Sequence, residues 1–506
     1  MPWELNRRTF VQMWAAVSAG LGLSSPAQEL KSGHKATAAR TPTRKNLVGI
    51  QIEPFAWMDE GIDQVLDNVQ HKGNVNTVYA YTHDFHGNRI KKGGATPLPD
   101  HGSYGNGTPL AGGAFYDYDL KYFQGTTLKD FRSRDFGKFN VITEVAPKMK
   151  ARGMDFFAWD YNNASAEMMR YIPGFTEVAE IDIHGVPTNS ACFNHPDYRA
   201  HLRGKIESLL SGYPSEVAGV MWGCERMGPL DNMLGGGFSR PFISCFCEFC
   251  RAKARSRDIS VGRAKKGYLQ LDELFKAGIG GQRPIDGFFV SFWRTLLEYP
   301  EILSWQSLWM TSYREVRAEL YGMAKVLAPG KPFGFHIQQN TTFSPFYRAS
   351  DDYGILSDNA DFIKIATYNH AAGPRMADFL QGLCSSVFSD VTPEELLPVY
   401  YKMMGYHEKP IPQISAEGLS TDYLVSETKR AMTGTLGRVA VYPGIDIDIP
   451  TGNGERKTTP EGVRESVEAA LGAGAPGIVL NRDYNEMYLA NLAAAGDASR
   501  KIFAKG

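Results

Sequence analysis

Eight short apolar runs recur along this chain, each followed by polar residues and then by a stretch of helical periodicity. They are LVGIQIE (47–53), VNTVYAY (75–81), MDFFAWD (154–160), VAGVMWG (217–223), PFGFHIQ (332–338), FIKIAT (362–367), RVAVYP (438–443) and PGIVL (476–480). Their apolar residues run on rather than alternate, as in strands covered on both faces by helices. Residues 197–211 put Leu202, Ile206, Leu209 and Leu210 on one helical face. Residues 302–327 bring Ile302, Trp305, Trp309, Tyr313, Val316, Leu320, Met323 and Leu327 back every three or four positions, a stripe that faces a core. Eight such β–α units predict a (β/α)8 TIM barrel over residues 46–506. A doubly wound sheet is the alternative, but no Gly-rich phosphate loop follows the first run. Two long insertions, about 84–140 and 226–300, follow run ends and so fall on the C-terminal face, where barrel sites are built.

The net charge of −1 removes any electrostatic case for nucleic acid or an anionic membrane surface. At the N-terminus, Asn6-Arg7-Arg8-Thr9-Phe10 precedes the weakly apolar VQMWAAVSAGLGLS and then Ser25-Pro26-Ala27. This pattern resembles a twin-arginine export signal, residues 1–27, and residues 28–45 read as a polar linker. The apolar part is too short for a comfortable span, and no other segment is long enough for one. The expectation is a periplasmic or secreted protein handled by the twin-arginine export machinery, with no integral membrane segment once mature.

The residues at the run ends are mostly polar: Gln51 and Glu53; Tyr81, His83 and Asp84; Asp160 and Tyr161; Glu225 and Arg226; His336, Gln338 and Asn340; Tyr368, Asn369 and His370; Asp446 and Asp448; Asn481 and Arg482. One at a time they could cap helices or tie loops. As a ring they predict a polar cup for a hydroxyl-rich ligand. From this ring we expect Glu53, His83, Asp160, His336, Gln338, Tyr368, Asn369, Asp448 and Arg482 to bind substrate. Cleaving a glycosidic bond takes one protonated and one ionised carboxyl group. Glu225 after the fourth run and Asp446 after the seventh would face each other across the mouth, with Asp448 in reserve. The plainer alternatives are pairing of Glu225 with Arg226 or a loop lysine, and a loop or metal-like role for Asp446.

Three cysteines crowd into C-x-C-x-x-C at Cys245, Cys247 and Cys250. The stretch ACFNHPDYRAHLRGKIESLLSGYPSEVAGVMWGCERMG, followed by CFCEFC, resembles the family 42 glycoside hydrolases, the barrel-type β-galactosidases. The resemblance spans residues 191–250 and rests on the order and spacing of its parts. It implies a zinc ion on Cys192, Cys245, Cys247 and Cys250 and an acid/base role for Glu225. The family has Asn directly before that glutamate where this chain has Cys224, which puts the usual sugar contact in doubt. The family also uses a Glu nucleophile on strand seven, where this chain offers Asp446, with Glu417 in a separate segment. Four thiolates would close a tetrahedral site, making the zinc structural, while a disulfide is the alternative in an oxidising compartment. Cys224 and Cys384 read as buried small residues, and no organic cofactor is expected.

The reading is an exported glycoside hydrolase acting on an oligosaccharide or glycoside, with Glu225 as acid/base, Asp446 as nucleophile and retention through a covalent intermediate. Two rivals stand beside it. One is a non-catalytic carbohydrate-binding barrel. The other is a different barrel hydrolase or an epimerase, using His83, His336 or His370 with Asp84 or Asp160.

Overall fold

The computed structural model describes residues 40–85, 100–102, 110–162, 166–236, 243–451 and 458–505. The expected signal segment 1–27, the linker as far as residue 39 and parts of both insertions lie outside these residues. Eight parallel strands run in chain order: β1 (Leu47–Ile52), β2 (Thr77–Asp84), β3 (Asp155–Tyr161), β4 (Gly219–Gly223), β5 (Phe333–Ile337), β6 (Phe362–Ile365), β7 (Ala440–Asp446) and β8 (Gly477–Asn481). Each pairs with the next, and β1 pairs with both β2 and β8, so the sheet closes. This is the expected (β/α)8 barrel.

Side chains alternate between two layers, as the strand period of two requires. Leu47, Tyr79, Tyr81, Phe157, Trp159, Met221, Phe362, Tyr442 and Val479 fill the barrel interior. Their neighbours in sequence, among them Val78, Ala158, Val220, Trp222, Ile363 and Leu480, pack outward beneath the helices. The large rings fit because adjacent strands give up their side chains. A Cβ on Gly219 would lie 2.4 Å from the Phe157 ring, and one on Gly223 only 2.2 Å from Trp159.

Two long helices flank β4 in sequence. Helix α1 (Pro196–Gly212) starts at His195, whose Nδ1 accepts the amide of Asp197, and it buries Leu202, Ile206 and Leu209. Helix α2 (Glu301–Leu327) buries Trp305, Trp309, Tyr313, Val316 and Leu320, most of the stripe expected from the sequence. Arg199 on α1 pairs with Glu315 and Glu319 on α2.

Beyond the two expected insertions, the chain after β3 forms an antiparallel hairpin of Ala179–Ile181 with Pro187–Ala191. Strands this short had no separate signature in the sequence. The insertion after β4 carries helices Glu248–Arg255, Val261–Ile279 and Phe288–Glu298. Among the described residues no helix is long and apolar enough to cross a membrane.

Candidate active site

Glu225 stands two residues beyond β4, and both of its neighbours are pinned. Tyr313 on α2 donates its hydroxyl to the Cys224 carbonyl at 2.6 Å, and the Cys224 thiol donates to the carbonyl of Asn162 at 3.1 Å. Arg226 turns outward, pairs with Glu180 at 2.5 Å and lies over the Phe193 ring, 4.4 Å from its centre. Glu225 therefore does not pair with Arg226; its side chain is left to point inward. Its Oε1 lies 2.6 Å from His336 Nε2 and its Oε2 accepts from Tyr161 at 3.2 Å. The side chain is still 29% exposed, where that of His336 is 4% exposed. Tyr161 is itself stacked on Trp159, the ring that Gly223 makes room for.

Below Glu225 the interior stays polar. His336 on β5 and Lys364 on β6 are register partners, and both face inward. Lys364 Nζ reaches His336 Nδ1 at 3.2 Å and also donates to the hydroxyl of Tyr368. Burial, reinforced by the Lys364 charge, brings the His336 pKa down to about 4, and burial brings that of Lys364 down to about 7. Arg375, from helix α3 (Asn369–Cys384), donates to Gln339 at 2.5 Å and feels the charges of both Asp446 and Glu225. Neither Lys364 nor Arg375 stood out in the sequence reading. The signal was there for the lysine: a cationic residue in the middle of a buried strand.

Three of the expected site residues, His83, Asp160 and Asp448, turn away from the mouth. A bulge between Tyr81 and His83 shifts the register with β3, so Tyr81 still opposes the inward Trp159 but His83 opposes the outward Asp160. His83 lies 3.8 Å from Asp160, which accepts from Lys205 of α1 at 2.9 Å, and all three are buried under the helices. The expectation that His83 and Asp160 line the mouth is corrected by this change of face. Asp448 is corrected likewise. The chain turns there with φ +58°, and the carboxylate takes the Tyr488 amide and the Asn491 side chain instead of continuing inward from β7. Asn369 is taken up by Ser466 and the Leu419 carbonyl, and Gln338 by the Arg226 carbonyl. Glu53 is buried at the start of helix Pro54–Glu60, and Arg482 forms an ion pair with Glu486. Glu417 is on the outer surface beside Lys409.

Asp446 does end β7 on the inward side, in register with Asn481. Its oxygens accept the amides of Ala371 at 2.7 Å and Ile449 at 3.2 Å, and the residue is 1% exposed. Burial raises its pKa in spite of those amides and of nearby His370 and Arg375.

The four cysteines Cys192, Cys245, Cys247 and Cys250 are buried, and their sulfurs lie within 4.8 Å of one another. Cys192 is 3.5 Å from Cys250 and 3.4 Å from Cys247, sulfur to sulfur, and all are free thiols. Sulfurs about 2.3 Å from a central zinc would be about 3.8 Å apart, so the cluster needs little adjustment to close on one. Asn194 donates to the Cys250 sulfur at 3.2 Å. The cluster joins the end of the β3 hairpin to the loop after β4. Ser244, next to Cys245, donates to Glu180 at 2.7 Å, and Glu180 holds Arg226.

No protein-family model and no curated protein sequence matches the chain. Solved structures do. The β-galactosidase of the psychrophilic Marinomonas ef1 is 12% identical, with 91% of this chain and 60% of that one covered at a TM-score of 0.50. The polyextremophilic β-galactosidase of the Antarctic haloarchaeon Halorubrum lacusprofundi is 12% identical, with 90% and 58% covered at 0.51. The chain thus spans about three-fifths of the length of those enzymes. At this identity the likeness is one of fold.

Proposed function

We propose that this protein is a glycoside hydrolase, distantly related to the family 42 enzymes, with Glu225 as acid/base and Asp446 as the second carboxylate. The observation that carries the reading is Glu225 itself: a partly exposed carboxyl group at the C-terminal mouth of a barrel, with a hydrogen-bonding partner on each oxygen. In the first step Glu225 protonates the departing glycosidic oxygen while Asp446 attacks the anomeric carbon. In the second, Glu225 deprotonates the water that releases the sugar, giving retention. Two solved β-galactosidases with this fold are consistent with a carbohydrate substrate. We assign a structural zinc to the four cysteines, where it would hold the loops that carry Glu180 and Arg226 behind Glu225. Export through the twin-arginine route completes the reading, and replacing Arg7 and Arg8 by lysine should strand the precursor in the cytoplasm.

A second reading, the carbohydrate-binding barrel, is favoured by one observation: Asp446 is closed off, with an amide on each oxygen. Kinetics separate the two. Glu225→Ala should lose about a hundredfold or more on glycosides with poor leaving groups but much less on dinitrophenyl glycosides, with azide restoring part of the latter rate. Wild-type rates in both Glu225→Ala and Asp446→Ala would sink the hydrolase reading.

A further inference from the structure

Lys364 is out of keeping with its place. It points inward from the middle of β6, fully buried, between His336 on β5 and Tyr442 on β7 in register. Among the described residues no carboxylate lies within salt-bridge distance of it; its ammonium meets His336 Nδ1 at 3.2 Å and the Tyr368 hydroxyl. A buried ammonium without a counter-ion is costly, and packing alone would favour an aliphatic residue there. The charged groups that face it are Glu225 and Asp483, which favour its charged form, and Arg375, which opposes it. Burial outweighs them, and the lysine titrates near 7.

His336 completes a line. Its pKa of about 4 makes the ring neutral at ordinary pH, with a single N–H. Because Nδ1 faces the lysine ammonium, a pure donor, the proton belongs on Nε2, 2.6 Å from Glu225 Oε1. Three groups then lie in sequence, from the barrel interior to the mouth, each able to pass a proton to the next.

Resting on the glycosidase reading, we infer that Lys364, His336 and Glu225 form an internal proton line, in which Lys364 stores the proton that Glu225 delivers to the leaving group. Loading breaks one Lys364 N–H bond and forms His336 Nδ1–H, while His336 Nε2–H breaks and a Glu225 O–H forms. The products are a neutral lysine, the other histidine tautomer and a carboxylic acid, with no net change of charge. When Glu225 later takes a proton from the attacking water, the same shifts run backwards. A bound sugar that displaces water from the mouth would leave this route open. Lys364 and His336 act through Glu225 and are positioning residues.

Nitrogen NMR on histidine-labelled full-length protein tests the line without substrate. His336 should be the Nε2–H tautomer, and its Nδ1 resonance should inflect near pH 7 as Lys364 titrates, an inflection absent in Lys364→Met. Lys364→Arg keeps the charge but cannot release a proton. With folding verified by its thermal transition, it should lose at least tenfold on poor leaving groups and little on dinitrophenyl glycosides. An Nδ1–H tautomer, a missing inflection, or wild-type rates for Lys364→Arg on poor leaving groups would overturn the proposal. Failure of the glycosidase reading looks different, because it appears as full activity in Glu225→Ala whatever the NMR shows.

Discussion

Asp446 Oδ2 accepts the amide of Ala371 at 2.7 Å, which ties the end of β7 to the first turn of α3. Oδ1 holds the Ile449 amide, so one side chain fixes two loops of the mouth. Removing it leaves two buried amides without an acceptor, each costing about 1–3 kcal/mol. Asp446→Ala should therefore unfold at clearly lower urea concentration than wild type. If Asp446 is the nucleophile, the variant should also be inactive towards both good and poor leaving groups. If the variant, assayed cold enough to remain folded, still turns over dinitrophenyl glycosides at the normal rate, Asp446 is an anchor and not a nucleophile.

Gly223 makes a second point of leverage. A methyl group there would meet Trp159 at 2.2 Å, and the neighbouring backbone of β3 and β5 limits how far the ring can retreat. Trp159 stacks on Tyr161, whose hydroxyl holds Glu225. Overpacking of this kind costs about 1–3 kcal/mol. Gly223→Ala should thus lower both stability and turnover, whereas Tyr161→Phe should lower turnover with little change in the melting temperature.

The cysteine cluster predicts a metal requirement for stability but not for chemistry. Elemental analysis should find about one zinc per chain, as a closed four-thiolate site requires. Cys247→Ser should lose the metal and melt at lower temperature. Any drop in turnover should follow the loss of folded protein and disappear when rates are normalised to the folded fraction. Full stability with no metal would remove the assignment.

The barrel was legible in the sequence because each strand is a continuous apolar run, and covered parallel strands leave no other pattern. Which strand-end side chains face the mouth was less legible. The bulge before His83 adds one residue, and one residue is enough to carry every later side chain to the opposite face. Nothing in the local sequence around Thr82 announces it. At Asp448 a single left-handed residue ends the alternation that Asp446 still obeys. Lys364 was hidden for the opposite reason. The run FIKIAT is apolar enough to be a buried strand, and reading it for its strand period passes over the one residue that burial should have excluded. Glu225 stood out as a candidate because the sequence around it carries a multi-part pattern; its partners His336 and Tyr161 come from other strands and are brought together only by the closed barrel.

Lys364 also sets how stability depends on pH. Its folded pKa of about 7 lies below its unfolded value of 10.5, so between those limits the unfolded chain binds more protons. Stability must then rise with pH through that window, by up to about 1.4 kcal/mol per pH unit for one group. Below pH 7 both states are protonated and the cost of the buried ammonium is constant. His336, with about 4 against 6.5, adds a second rise between those values by the same sign. Lys364→Met removes the first term and, by deleting a neighbouring positive charge, raises the His336 pKa. From pH 7 upward, above the range in which His336 titrates, urea unfolding of wild type and Lys364→Met at matched pH values isolates the lysine term. The variant should be the more stable protein at pH 6, and its advantage should shrink steadily from pH 7 towards 10.5. A difference that stays level across that range would mean that Lys364 is not titrating inside the barrel.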